Sequence, residues 1–265
     1  AGLNVTTGVQ NTLIGGLSGD ALTTGEVNVA VGISALGAET KGHHSVAIGN
    51  SALATQNNTT STSVYNTAVG SLAGNAITTA VNNTIIGALA GDALTTGNEN
   101  VAVGFEALST EDASGGNTAV GSAALKAQDT GVTAAFNTGV GHNAGLSVTT
   151  GVENTLMGAS AGDALTDADY NTAVGVGALG SDTLGSRSTA LGYSALFAQN
   201  FTTASNSYNI AVGYNAGGSV TTGVKNTLIG GLAGDALTDA DSNVAIGAYA
   251  LTSDTLGSKS VAIGH

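Results

Sequence analysis

The chain has 265 residues, of which only 9% are charged, and it carries a net charge of −13 with five Lys and Arg residues. So few cations argue against nucleic acid and anionic membrane surfaces as partners, because both require clustered Lys and Arg. Cysteine is absent, which excludes disulfides and thiolate metal sites. No apolar run approaches the length of about 18 residues that a membrane span needs, so no membrane insertion is predicted.

A five-residue motif recurs along the whole chain and defines its predicted strands. It reads Asn or Ser, then Thr, Val or Ile, then a small or aliphatic residue, then an aliphatic residue, then Gly. The fifteen copies begin at Asn11, Asn28, Ser45, Asn66, Asn83, Asn100, Asn117, Asn137, Asn154, Asn171, Ser188, Asn209, Asn226, Asn243 and Ser260. The numbers of successive closing glycines differ by 17, except that every fourth step is 20 or 21. Four units therefore form a super-repeat, as from Gly15 to Gly87.

These units are too short to bury a core singly, so neighbouring units must stack. The β-branched residues of the motif favour strands, and its glycines mark the turns. The sequence therefore predicts an all-β fold, a β-solenoid or β-roll of about 15 stacked 17-residue coils. We expect residues 1–265 to form a single repetitive segment cut from a longer fibre, because the chain starts and stops in the middle of a unit.

The pattern of apolar residues within each strand predicts a second chain. The second and fourth motif positions share one face of a strand. The fourth position is always aliphatic, so we expect that face to be buried inside the coil. The third position is also apolar, and a strand that is apolar on both faces is covered on both sides. Identical chains would supply that cover, with the third-position Ala and Leu as the contact between chains of a homotrimeric rod.

The longer units and the residue before each strand supply the candidate surface features. The insertions at 55–65, 126–136 and 197–208 are predicted to stand out as loops at regular height. Four aromatic residues there, Tyr65, Phe136, Phe201 and Tyr208, are candidates for receptor contact, since rings on a rod surface can stack on sugars. The competing interpretation is that the rings fill gaps at loop bases or between chains. Burial of Phe201 and Tyr208 would contradict receptor contact.

The Asn and Ser residues that begin the motif are predicted to form a structural ladder, hydrogen-bonded from coil to coil. A Ca²⁺ site is a weaker candidate, at the alternating pairs Asp167 with Asp169 and Asp239 with Asp241. Calcium loops start with acids two residues apart, but the Gly and distal Glu of an EF-hand are missing. A solvated turn explains the same pattern.

No catalytic constellation is evident, and we expect that the chain is not an enzyme and has no cofactor. The four histidines, at 43, 44, 142 and 265, occupy no recurring position. General acid–base chemistry needs groups that converge in a pocket.

Two families share features of the repeat. The segments Ser45-Val46-Ala47-Ile48-Gly49 and 260–264 resemble the strand motif of YadA-like trimeric autotransporter heads, although the unit here is longer. The units at 100–116 and 171–187 more closely resemble, in part, the repeats of phage tail fibres that carry an endosialidase-type chaperone. The resemblance covers the whole chain and implies a homotrimer on a virion or cell surface, in an extracellular setting.

Three functions are consistent with these features. The first is a structural and adhesive shaft of a phage tail fibre, giving reach and rigidity for attachment to a host-surface glycan or protein. The second is the head of a bacterial trimeric surface adhesin. The third is an ice-binding solenoid, but the Thr-Thr pairs in the turns skip many units and form no continuous lattice there.

Overall fold

A computed structural model describes residues 1–131 and 133–265. The chain divides into two compact units, 1–136 and 137–265, which we describe separately. The first contains β1 (Thr12–Ile14), β2 (Val29–Val31), β3 (Gly42–His43), β4 (Val46–Ile48), β5 (Thr62–Ser63), β6 (Thr67–Val69), β7 (Thr84–Ile86), β8 (Val101–Val103) and β9 (Thr118–Val120). The second contains β10 (Thr138–Val140), β11 (Thr155–Met157), β12 (Thr172–Val174), β13 (Gly185–Ser186), β14 (Thr189–Leu191), β15 (Ser205–Asn206), β16 (Ile210–Val212), β17 (Thr227–Ile229), β18 (Val244–Ile246) and β19 (Val261–Ile263).

The motif strands of each unit form a parallel sheet in which every coil contributes one strand. The order is β1-β2-β4-β6-β7-β8-β9 in the first unit and β10-β11-β12-β14-β16-β17-β18-β19 in the second. Equivalent motif positions lie side by side, as Thr12 does with Val29 and Thr155 with Thr172. The prediction of an all-β solenoid of about 15 stacked 17-residue coils is therefore confirmed.

The interior of each coil is built on the third motif position, which corrects the predicted orientation of the strands. Ala30, Ala102, Leu156 and Ala245 are fully buried within the single chain. The fourth position faces outward, and Ile229 is 38% exposed. A thin coil has little internal volume, and the third position fills part of it with Ala, as at Ala30, or with a larger residue, as at Leu156. The third-position Ala and Leu are therefore not a contact between chains.

The third residue after the closing Gly is a buried Ala in most units, such as Ala35 and Ala73, and the next residue is Leu in some units and Gly in others. This alternation follows from the limited volume of the coil. In Leu coils, Leu36 and Leu53 fill the interior themselves and are fully buried. In the first Gly coil, a Cβ on Gly19 would lie 2.6 Å from Leu13 and 2.9 Å from Leu22, whose side chains occupy the same space. Each arrangement fills the coil with different residues, which explains the fixed phase of the pattern along the chain.

The residue before each ladder position forms a corner in left-handed backbone. Val27, Tyr170 and Lys225 have φ of 57°, 60° and 59°. This conformation costs a non-glycine residue about 1–2 kcal/mol, which coil stacking must offset. Most side chains at these corners are exposed, as Val27 and Tyr170 are at 41% and 45%.

The first and third insertions are anchored on the preceding coil by short pairings, while residues 59–61 and 202–204 within them are exposed, so the predicted projection of the insertions stays a prediction. β3 pairs with β5 and β13 pairs with β15, each in parallel. Val64 in the first insertion is fully buried and Phe201 in the third is 7% exposed. In the second insertion a parallel bridge joins Gly115 to Ala134, and residue 132 lies outside the described residues.

Candidate functional site

The ladder residues connect successive coils through buried amide side chains. Asn154 Oδ1 accepts the backbone N–H of Asn171 at 2.9 Å, and its Nδ2 donates to the carbonyl of Ala168 at 2.7 Å. The same pair of bonds recurs at Asn226, whose Oδ1 serves Asn243. Each amide thus satisfies one strand donor and one turn acceptor that would otherwise be buried without partners.

The ladder is interrupted at Ser positions, and a glutamine bridges the gap. Gln199 Nε2 donates to Ser188 Oγ at 2.9 Å, and its Oε1 accepts from Asn209 Nδ2 at 2.8 Å. Gln56 makes the equivalent bonds to Ser45 and Asn66, both at 2.9 Å. The longer Gln side chain thus reaches across the interval that the short Ser leaves.

A buried carboxylate lies beside each of these glutamines and beside Gln128 in the second super-repeat, and the sequence interpretation missed it. Glu39, Glu111 and Asp182 are 0% exposed. Glu39 Oε1 accepts the backbone N–H groups of Gly42 and Asn58 at 2.7 and 2.9 Å, and Oε2 accepts from Gln56 at 2.9 Å. These bonds fix the start of each insertion.

A sequence signal for this network exists. An acid lies three residues after the buried Leu of one unit, and Gln lies at the same place in the next unit.

The predicted Ca²⁺ residues each accept a hydrogen bond from the preceding coil. Asp167 Oδ1 accepts from Thr150 Oγ1 at 2.6 Å, and Asp169 Oδ1 accepts the N–H of Val152 at 2.9 Å. Asp239 and Asp241 repeat this arrangement with Thr222 and Val224. Each carboxylate is a hydrogen-bond acceptor for the preceding coil, which accounts for the alternating acids.

Another group of acids does converge. One ligand oxygen from each of Glu111, Asp112 and Asp129 lies within 4.8 Å of the others. Asp112 and Asp129 are exposed, whereas Glu111 is buried. Among the described residues this is the one cluster of three metal-ligating side chains.

Three of the four aromatic receptor candidates are exposed. Tyr65, Phe136 and Tyr208 are 54%, 61% and 50% exposed. Tyr65 stacks on His44 with ring centroids 5.0 Å apart. Phe201 is a correction, because its ring is buried against Gly185 and is not available to a partner.

The outward face of each sheet carries two uncharged rows of side chains. The second motif position is Thr, Val or Ile, and the fourth is Val, Ile, Leu or Met, in every coil. Met157, Ile229 and Ile246 at the fourth position are 41%, 38% and 36% exposed. This face is the most regular surface of both units.

The pKa values of two aspartates are raised by their surroundings. Burial raises the pKa of Asp92, and the nearby Glu106 carboxylate raises it further, although backbone hydrogen bonding and Lys126 oppose the shift. Burial likewise raises the pKa of Asp163. Asp92 Oδ1 is also buried without a hydrogen-bond partner among the described residues.

No family model, curated protein or solved structure matches the chain. The described residues include no helix that is long and apolar enough to cross a membrane.

Proposed function

We propose that this chain is a structural segment of a homotrimeric attachment fibre on a virion or cell surface, with a phage tail fibre as the first assignment. The observation that carries the proposal is the uncharged aliphatic face that runs along the sheet of each unit. Ile229 and Ile246 leave more than a third of their surface exposed there. Burial of such side chains contributes about 25 cal/mol per Å² of apolar area.

Charge favours a second copy of the chain as the occupant of this face. Chains of net charge −13 repel one another, so copies can pack closely only on a surface without acids. The second and fourth motif positions provide that surface in every coil. An identical chain has coils at the same spacing, so it can contact every coil of the face in the same way. A partner without repeats cannot.

The proposed role is mechanical and adhesive, without a catalytic step. The buried amide ladders and stacked coils supply rigidity. The exposed rings of Tyr65, Phe136 and Tyr208 are offered to a host-surface glycan or protein. A trimeric bacterial adhesin head has the same requirements and is the alternative setting.

Inserting a charge into the face tests the proposal. We expect Ile229→Glu to reduce the sedimentation mass from three chains to one, because three carboxylates would be buried together. Ser253→Glu adds the same charge at an exposed residue outside the sheet, and we expect it to leave the mass unchanged. Equal masses for the wild type and Ile229→Glu would contradict the proposed interface.

A second candidate function is ice binding, and one observation favours it. Thr138, Thr155, Thr172 and Thr189 lie side by side on four consecutive strands of the outward face. The Thr row is continuous over these four strands, unlike the Thr-Thr pairs in the turns. It ends at the next strand, where Ile210 takes the place of Thr. Thermal hysteresis from a monomeric protein would support this function and would replace the fibre proposal.

A further inference from the structure

The three complete super-repeats provide an internal comparison at the buried carboxylate. Glu39, Glu111 and Asp182 occupy equivalent places, one in each super-repeat. In the first super-repeat the neighbouring places hold Thr40 and Asn57, and Thr40 Oγ1 donates to Asn57 Oδ1 at 3.0 Å. In the third, the bond from Thr183 Oγ1 to Asn200 Oδ1 is equivalent, at 3.1 Å. Both networks are neutral around a single acid.

The second super-repeat replaces this neutral pair with two acids. Asp112 stands in the place of Thr40, and Asp129 stands in the place of Asn57. Oxygens of these two carboxylates and of Glu111 come within 4.8 Å of one another. The one ion pair in the described part of the chain joins Lys126 to Glu106 and involves none of the three. Like charges at this distance destabilise the folded chain unless a cation lies between them.

A third residue near the buried acid also differs between the first and second super-repeats. In the first super-repeat Asn58 Nδ2 donates to Glu39 Oε2 at 2.9 Å, so the side chain at this place points at the carboxylate. Thr130 takes that place in the second super-repeat, and its backbone N–H still faces Glu111 Oε2, at 3.5 Å. Thr130 is 9% exposed, and its Oγ1 has no hydrogen-bond partner among the described residues. The amide donor of Asn58 is thus replaced by a hydroxyl whose oxygen is buried and has no partner among the described residues.

We propose that Glu111, Asp112, Asp129 and Thr130 form a Ca²⁺ site that is specific to the second super-repeat. Carboxylate and hydroxyl oxygens are ligands for hard divalent cations, and Ca²⁺ accepts irregular sets of oxygens completed by water. Two of the three substitutions relative to the first super-repeat introduce a carboxylate, and the third replaces an amide that donates to the buried acid with a hydroxyl. The site lies within one chain, so it does not depend on the proposed fibre.

Calorimetric titration of the whole chain with CaCl₂, after removal of metal with EDTA, tests the site. The wild type is expected to bind one Ca²⁺ per chain with a Kd of about 10⁻⁴–10⁻³ M, as in extracellular calcium modules. The double variant Asp112→Thr with Asp129→Asn carries the residues of the other two super-repeats, which fold with them. We expect it to lose this binding while its thermal midpoint in EDTA equals or exceeds that of the wild type.

A matched variant separates this site from the alternating acids in the turns. Asp239→Asn removes a charge from a turn and is expected to leave the calcium titration unchanged. The proposal is overturned if the wild type binds no Ca²⁺ up to about 10 mM, tenfold above the weakest value in that range. It is equally overturned if the double variant binds as the wild type does, or if Asp239→Asn abolishes the binding.

Discussion

The closing glycine of each strand motif is fixed by its neighbour in the next coil. Gly213 has φ of 139°, and a Cβ built there would lie 2.5 Å from the carbonyl oxygen of Gly230 and 2.6 Å from its carbonyl carbon. The atoms in the way are backbone atoms that bear the next coil, so they cannot move aside. The recurrence of Gly at this position is therefore a steric requirement of stacking.

Substitution at this glycine tests the steric requirement. We expect Gly213→Ala to lower the free energy of unfolding by roughly 3 kcal/mol or more, combining backbone strain with overpacking. A Cβ on Gly231 would meet no atom within 4 Å, and its φ is not positive, so Gly231→Ala is the matched control. Chemical denaturation measures both, and a cost for Gly213→Ala no larger than for Gly231→Ala would contradict the stacking geometry.

Asp92 gives the molecule a pH-dependent weakness. Because burial raises its pKa, the folded chain holds this proton at pH values where the unfolded chain has released it. The stability contribution of Asp92 therefore falls as the pH rises from the usual Asp pKa, about 4, through the raised value. Above that window a constant penalty for the buried charge remains.

We expect Asp92→Asn to raise the thermal midpoint at pH 7. The free energy of unfolding should rise by less than about 1 kcal/mol, because solvent screens this half-buried group. Asn75 occupies the equivalent place one coil earlier, so the coil accommodates the amide. The gain should disappear below about pH 4, where the carboxyl is protonated in both states. Thermal unfolding across this pH range measures it, and a gain that persists at low pH would rule out the titration of Asp92 as its cause.

At the scale of the coil, the buried acid and its glutamine act as one unit. Gln199 Nε2 donates to Asp182 Oδ2 and to Ser188 Oγ, while its Oε1 accepts from Asn209. Gln199→Leu removes these partners and leaves polar atoms buried without hydrogen bonds. Such groups cost about 1–3 kcal/mol each, and more when charged.

We therefore expect Gln199→Leu to lower the free energy of unfolding by roughly 3 kcal/mol. Asn200→Ala changes the next residue, which is exposed, and removes only its exposed hydrogen bond from Thr183, so it is expected to cost about 1 kcal/mol or less. Denaturant titration of the two variants provides the comparison. Equal costs would show that the buried network does not stabilise the insertion coil.

The repeat period determined most of the fold before the structure was known, because each position in a solenoid has an equivalent neighbour one repeat away. The positions of β2, β7 and β12 follow directly from Gly spacing. The orientation of the strands was harder to infer, since both faces are apolar and the third position is small in some coils and large in others. Ala30 and Leu156 both face the interior, whereas Val29 and Val31 are partly exposed.

The candidate sites were harder to predict from the sequence because they depend on contacts between neighbouring coils. The alternating acids at Asp167 and Asp169 have the spacing of a calcium loop, but each serves a donor of the previous coil. Asp112 and Asp129 lie one repeat apart and have no local motif, yet stacking places them together with Glu111. Comparing equivalent places across super-repeats was the signal that would have found this cluster.

At the scale of the whole molecule, the distribution of charge decides how chains can associate. The acids lie in turns, at corners and in the buried network, whereas the second and fourth strand positions are free of charge. The proposed association therefore uses the uncharged face that each unit carries, since chains of net charge −13 repel one another elsewhere.

The molar mass of the wild-type chain in solution tests the proposed fibre most directly. We would measure it by light scattering on a chromatographed sample at physiological salt, where repulsion between chains is screened beyond about 8 Å. The proposal predicts the mass of three chains, three times 25.4 kDa. The mass of one chain would contradict it, because the outward rows of Ile229 and its equivalents would then be a free surface.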